Sequence, residues 1–349
     1  MFSKESKLKK LRHIVPLIPV YAIVSTVSFG FTKFILLNYN VNTLKYEELD
    51  GGFIYFIFHL LTTVLFYICA VMTVLTHIKT IITHPGKVSY EFIMSHKNNI
   101  NPELYCKKCD IPRPERCHHC KTCNICILKF DHHCPWVANC IGLNNQKLFI
   151  QFLFFATLGD LIAFIRLIPR AFSIDLRVNS RAKEISDVIW LLKDKLILVI
   201  ACMLAISMVI ASGFLLSVQY ELITNNVTTV ETKKLQGRRG KYYDENRFNS
   251  FKIVMGANWK DWITPSAEIS NIHNGYTYGK FNELNQGNVS SFYFDLNNSN
   301  INCSKTEDGF QYNTVNYNAS GNLRNLHDIE KGHINLDSSH NSSDSNENE

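Results

Sequence analysis

What this chain of 349 residues lacks narrows it first. No internal repeat recurs along it, which excludes a solenoid or a propeller. The first apolar stretch is too long for a signal peptide and no small-residue cleavage site follows it, so the sequence predicts a retained signal anchor. No basic helix follows the cysteine-rich segment, which excludes a zinc finger that reads nucleic acid. The net charge of +6 has another origin. Its basic residues cluster beside the apolar runs, where each meets anionic lipid headgroups at about 1 kcal/mol. Nothing reads as an ankyrin-like or SH3-like module, so no protein substrate is identified. Between positions 106 and 140 aliphatic residues are scarce, and an apolar core cannot fold that stretch.

That same stretch holds eight cysteines and four histidines and ends in Asp131-His132-His133-Cys134-Pro135-Trp136. The short spacings Cys106-x-x-Cys109 and Cys120-x-x-Cys123-x-x-Cys126 let thiolates from one tight turn reach one metal, and His119, His133 and Cys140 can complete the tetrahedra. A structural zinc takes four ligands, so two ions use eight of the twelve candidates and leave four. One of those four is expected to be a nucleophile. Metal binding supplies folding free energy on the order of 10 kcal/mol per site, in place of the missing core. A disulfide framework is disfavoured, because the Cys-x-x-Cys pairs are interleaved with His and the rest of the chain places the segment in the reducing cytosol.

Four apolar runs approach the length of about twenty residues that spans a bilayer: 14–36, 53–76, 148–168 and 196–218. Lys4, Lys7, Lys9, Lys10 and Arg12 precede the first, and Lys233, Lys234, Arg238, Arg239 and Lys241 follow the last, so both termini are expected in the cytoplasm. Arg170, Arg177, Arg181 and Lys183 oppose this, lying between the third and fourth runs; that loop is read as interfacial. The expected organisation is a basic cytoplasmic N-terminus (1–13), the four spans, a cysteine-rich zinc domain (77–147), a cytoplasmic C-terminal region (219–265) and an Asn/Ser-rich tail (266–349). The tail buries too little apolar surface to offset its ordering entropy and is expected to be disordered. The expected fold is an α-helical polytopic membrane protein: four transmembrane helices with a small two-zinc cysteine-rich domain in the cytoplasmic loop between helices 2 and 3.

The pattern Cys106-x-x-Cys109, Arg113-Pro114-x-Arg116, His118-His119-Cys120, Cys123, Cys126, Asp131 to Trp136, Asn139-Cys140-x-Gly142 and Asn145 resembles the cysteine-rich domain of the DHHC protein S-acyltransferases (palmitoyltransferases). The resemblance implies crossed zinc sites, with Cys106, Cys109, His119 and Cys126 on one ion and Cys120, Cys123, His133 and Cys140 on the other. Spacing alone does not choose this pairing. Cys117, His118, His132 and Cys134 remain. The resemblance also implies that Cys134 attacks the thioester of a long-chain acyl-CoA such as palmitoyl-CoA, and that a cysteine thiolate of a membrane-proximal protein substrate then takes the acyl group. His132 can act as the base and Asp131 can orient it, by the logic of a triad. Cys117 is taken as passive.

Arg113, Arg116 and His118 are candidates for the CoA phosphates, Lys107 and Lys108 less so. Thr228-Thr229-Val230-Glu231 resembles the family's TTxE motif, whose second Thr is expected to bond near Asp131. Tyr243-Asp244 through Asn249 to Gly256 resembles its C-terminal element, with Asn249 rather than Asn246 capping the end of the fourth span. One departure is His84-Pro85-Gly86, where the family has Asp-Pro-Gly. The implied partners are acyl-CoA, protein substrates and the bilayer, with no nucleic acid; an accessory subunit is left open. The implied location is a Golgi, ER or plasma membrane. A zinc-folded membrane adaptor is the competing class, and the complete Asp131-His132-His133-Cys134 set speaks against it. Gly159 is expected to leave room for the acyl tail in the third span.

Overall fold

The computed structural model describes residues 17–37, 52–97, 101–172, 185–235 and 244–266, isolated positions between 240 and 278, and four short segments between 303 and 324. The chain divides into two compact units, Lys7–Ser290 and a second made of Met1–Ser6 with Ser291–Glu349.

In the larger unit four long helices carry the apolar runs: α1 (Leu17–Phe31, continued by a π turn, Thr32–Leu37), α2 (Gly52–Ile82), α4 (Gln146–Phe172) and α5 (Ile185–Thr224). Among the described residues these four are long and apolar enough to cross a membrane. Their outward faces stay apolar, as with exposed Leu61, Ile68, Met203 and Phe214, which suits a lipid surround. Buried Phe31, Phe66, Ala163, Leu167 and Ala201 tie the four together at one end.

Three helices exceed their expected spans at the site end. α2 continues past 76 because its polar residues are satisfied there: Thr76 and Thr80 donate to carbonyls one turn back (2.6 and 2.7 Å), and His77 bonds the Tyr21 hydroxyl and the Trp136 carbonyl (3.0 Å each). α4 starts at Gln146, with its first turn buried. α5 runs six residues past 218, which brings Gln219 to the site. The expectation of open space at Gly159 is corrected: a Cβ there would lie 3.1 Å from the Cβ of Cys69 on α2, so the small residue serves close helix approach.

The cysteine-rich segment folds as three antiparallel hairpins, β1–β2 (Tyr105–Cys106, Ile111–Pro112), β3–β4 (His118–Cys120, Ile125–Ile127) and β5–β6 (His132–Cys134, Asn139–Ile141). A short helix α3 (Tyr90–His96) precedes them. In the first two hairpins the residue after the second cysteine, Asp110 or Asn124, is left-handed (φ 57° each) and donates its N–H to the carbonyl of the first cysteine (2.8 Å each). Asp and Asn tolerate that conformation best among residues with side chains.

Helices α6 (Thr229–Leu235), α7 (Arg247–Met255) and α8 (Trp259–Ile263) follow α5. The boundary expected at 265 falls short, because Gly275, Tyr276 and Tyr278 pack on the hairpins. Most of the remaining tail lies outside the described residues, as do residues 1–13, Arg177, Arg181 and Lys183. The second unit contains two short antiparallel pairs, β7–β8 (Cys303–Thr306, Gly309–Tyr312) and β9–β10 (Asn316–Tyr317, Leu323–Arg324).

Candidate active site

The hairpin registers explain how two metal sites share one stretch of chain. His119 faces Cys126 across β3–β4, and His133 faces Cys140 across β5–β6. Each such pair meets the cysteine knuckle of the hairpin before it. Cys106, Cys109, His119 and Cys126 converge, and so do Cys120, Cys123, His133 and Cys140, with donor atoms in each set within 4.8 Å of one another. Measured spacings of 3.2 Å (Cys109 Sγ to His119 Nδ1), 3.4 Å (Cys123 Sγ to His133 Nδ1) and 3.5 Å (Cys123 Sγ to Cys140 Sγ) approach the edge of about 3.8 Å of a zinc tetrahedron. Three sulfurs and one imidazole nitrogen, all partly or fully buried, are the donor set of a structural zinc site, and the residues fit that ion twice.

Strand alternation then separates chemistry from structure. Successive side chains of a strand point to opposite faces, so His133 turns to the metal cluster while His132 and Cys134 share the other face. Cys134 is 4% exposed and packs with Val137, Ile141, Phe149, Phe152, Leu153 and Ala156, against Val20, Ile81 and Leu216. All four long helices therefore reach the sulfur's surroundings.

Asp131 is buried and accepts three hydrogen bonds: from His132 Nδ1 (2.8 Å), Gln219 Nε2 (3.0 Å) and the backbone N–H of Thr229 (2.6 Å). Burial pushes its carboxyl up, but the His132 contact and then the other two donors hold it below the usual range. Burial also opposes the charge on His132. The hydrogen bonds to Asp131 and then Cys134 override it and raise the imidazole to about 9. The imidazole thus carries its charge on the face that it shares with the buried Cys134.

Thr229 acts through its backbone. Thr228 and Glu231 form a reciprocal capping box (Thr228 N–H to Glu231 Oε2, 2.9 Å; Glu231 N–H to Thr228 Oγ1, 3.3 Å), which aims the Thr229 N–H at Asp131.

Arg116 does not face outward as a phosphate ligand should. It is 6% exposed and binds Glu231 side-on (Nε to Oε1, 2.7 Å; Nη2 to Oε2, 2.9 Å), with Nη1 and Nη2 donating to the Asn226 side chain and carbonyl (3.0 and 3.1 Å). Arg113 is partly exposed and donates to the Glu103 carbonyl at 3.3 Å. His118 is half-buried and pushed down to about 4, by burial and then by Arg113 and Lys234. It is neutral at neutral pH.

Asn249 makes no side-chain hydrogen bond among the described residues; Asn246 caps α7, accepting from the Phe248 N–H at 3.1 Å. The end of α5 is closed instead by Asn226, left-handed at φ 50°, with its N–H on the Ile223 carbonyl and that of Val227 on the Leu222 carbonyl. Asn139 caps α2, donating to the carbonyls of Thr80, Ile81 and Thr83. His84 takes over the turn role of an Asp, its Nδ1 accepting the Gly86 N–H at 3.1 Å. Gly142 is dictated by space, since a Cβ would fall 2.6 Å from Ile127 and 2.7 Å from the Pro85 carbonyl.

Sequence reasoning missed Gln219, Asn226 and Lys129. Asn at the end of an apolar run is a recognisable helix stop, and Lys129 amid Ile127, Leu128 and Phe130 is a cation without exposed neighbours. Its side chain is buried, and burial and then Arg116 lower its ammonium to about 7.

A sequence model of the DHHC palmitoyltransferases matches residues 99–236. Palmitoyltransferase ZDHHC3 of Rattus norvegicus is 30% identical over 220 residues, covering 60% of this chain and 71% of the relative. The chain belongs to the DHHC palmitoyltransferase family. Probable protein S-acyltransferase 12 of Arabidopsis thaliana is 29% identical over 240 residues (64% and 76% covered), and Palmitoyltransferase ZDHHC15 of Mus musculus 26% over 292 (74% and 81%). As a DHHC palmitoyltransferase the chain is an enzyme, and its four-letter signature is Asp131-His132-His133-Cys134.

Proposed function

We propose that this chain moves a long-chain acyl group from palmitoyl-CoA to cysteine thiols of membrane-proximal proteins through an acyl-enzyme on Cys134. The observation that carries this reading is the shared face of His132 and Cys134, with Asp131 fixed behind His132 by three donors.

The Cys134 thiolate attacks the thioester carbonyl; the C–S bond to CoA breaks as the new one forms, and His132 gives its proton to the departing CoA thiolate. Neutral His132 then takes the proton of the incoming substrate thiol, whose sulfur attacks the acyl-enzyme and releases Cys134. Asp131 keeps the imidazole in one tautomer and stabilises its charge. The acyl chain enters the apolar surroundings of Cys134 between the helices. Burial of about fourteen methylenes at about 0.8 kcal/mol each favours such a site over water by some 11 kcal/mol.

Each Cys/His cluster holds one zinc ion, which fixes the hairpins and takes no part in the transfer. Arg113, partly exposed, is the cation for the CoA phosphates; Arg116, buried and held by Glu231, is not. Asn249 has no assigned role. Both termini face the cytoplasm, in a Golgi, ER or plasma membrane. The sequons at Asn288, Asn297 and Asn318 therefore stay bare in a glycosylating host, and glycan on them reverses the orientation.

The decisive measurement is autoacylation of the purified protein with a clickable palmitoyl-CoA, with metal content determined on the same samples. Cys134→Ser and His132→Ala are expected to keep two zinc equivalents and lose hydroxylamine-sensitive label. Label retained by Cys134→Ser, or zinc lost from either variant, contradicts the reading.

A further inference from the structure

Three residues beyond the expected end of the C-terminal region return to the hairpins. The Ser89 N–H at the start of α3 donates to the Tyr276 hydroxyl (2.6 Å), and the Tyr276 ring packs on Phe92 (5.0 Å between centroids). Gly275, at φ 82°, sits where a Cβ would meet Leu143 at 2.5 Å and Leu128 at 3.2 Å. Tyr278 donates its hydroxyl to the Gly275 carbonyl (2.8 Å), and the Arg116 guanidinium lies 5.0 Å from the centre of its ring. Tyr242 receives the same guanidinium at 5.1 Å, and the two tyrosine rings are 5.5 Å apart.

Arg116 is where this strap meets the reaction. Its guanidinium holds both oxygens of Glu231, Glu231 holds the Thr228 N–H, and the next N–H, that of Thr229, holds Asp131. A bidentate ion pair keeps its geometry when water is excluded and loosens when it is exposed. The two rings lie on the Arg116 side of the pair, where the side chain is 2% exposed against 21% for Glu231. Four short links therefore run from Tyr278 to the carboxylate that orients His132.

We infer that Tyr278, which returns to the hairpins with Gly275 and Tyr276, is a positioning residue for the acyl-transfer site: it shields the Arg116–Glu231 pair and so keeps the Thr229 N–H on Asp131. The inference rests on the assignment of Asp131 as the orienter of His132. It makes the catalytic unit longer than the helices that follow α5, since a residue of the Asn/Ser-rich region completes it.

The test is single-turnover acyl-enzyme formation by the full-length protein over a range of palmitoyl-CoA concentrations, with zinc measured in parallel. Tyr278→Ala is expected to lower the maximal rate about tenfold with both zinc ions retained and the half-saturating concentration unchanged. Tyr278→Phe keeps the ring and restores most of the rate. Gly275→Val dislodges the strap without touching Arg116 and reproduces the Tyr278→Ala defect. In a Glu231→Gln background Tyr278→Ala adds nothing further, because both act along one line of contacts.

A full rate in Tyr278→Ala overturns the inference. So does a raised half-saturating concentration at constant maximal rate, which marks a role in CoA binding, and so does zinc loss that Phe does not repair. Asp131→Asn separates the levels. If it is slow while Tyr278→Ala is fast, the strap alone is refuted; if Asp131→Asn runs at the wild-type rate, the assignment of Asp131 fails first.

Discussion

The tripeptide His-His-Cys occurs twice, as β3 (His118–Cys120) and as β5 (His132–Cys134), with the same register against the partner strand. In both, the central histidine joins a metal cluster. The outer residues diverge. Cys120 is drawn into the second cluster because another hairpin follows it, whereas the chain after β6 turns into α4, leaving Cys134 among the apolar ends of the helices. His118 is driven down to about 4 by burial beside Arg113 and Lys234, while His132 is lifted to about 9 against its burial, by Asp131 first and Cys134 next. One local sequence thus gives a structural strand or a reactive one, according to what packs over its second face.

The largest effect expected from breaking this comparison lies on the face the two strands share. Cys109→Ala or Cys123→Ala removes a metal ligand and with it folding free energy on the order of 10 kcal/mol per site. Zinc content, yield and all acylation should fall together; an active Cys123→Ala with two bound zinc ions would show that the clusters are not what folds the hairpins. Next comes the face on which they differ. Asp131→Asn keeps the volume of the side chain and removes the charge that distinguishes His132 from His118, and acyl-enzyme formation should drop by roughly 10² to 10⁴ with zinc retained.

The smallest effect concerns stability against pH. Lys129 titrates near 7 in the fold and about 10.5 when unfolded, so between those values the unfolded chain holds more protons and stability rises with pH. Lys129→Met should remove that rise. Thermal unfolding from pH 7 to 9.5 should show the wild-type midpoint climbing by a few degrees relative to the variant, and parallel curves would mean that the Lys129 ammonium is solvated.

The cysteine and histidine spacing carried much of the site in advance, because metal ligation is written in residue types. Helices were legible as apolar runs, but their ends were not: α2 continues through Thr76, His77 and Thr80 because the two threonines bond back to the helix's own carbonyls and the last hairpin supplies partners for His77 and the Thr80 carbonyl, which a hydropathy reading does not contain. The contribution of Thr229 was half legible. Its place beside Asp131 was expected, yet the bond comes from its backbone N–H, which any non-proline residue would offer. Arg116 was misread for a related reason. An arginine in a basic stretch looks solvated until the fold brings Glu231, Asn226, Tyr242 and Tyr278 around it, and those partners lie more than a hundred residues away.

The middle hairpin serves both metal clusters, giving Cys120 and Cys123 to one and His119 and Cys126 to the other. Its strands need to be ordered only once, so whichever ion arrives first lowers the entropic barrier left for the second. The two zinc ions are in this sense a single cooperative load. A chelator strong enough to take one should empty both in the same step, and the strand of Cys134, held in place by the second cluster, would lose its alignment even when the first cluster was the one attacked.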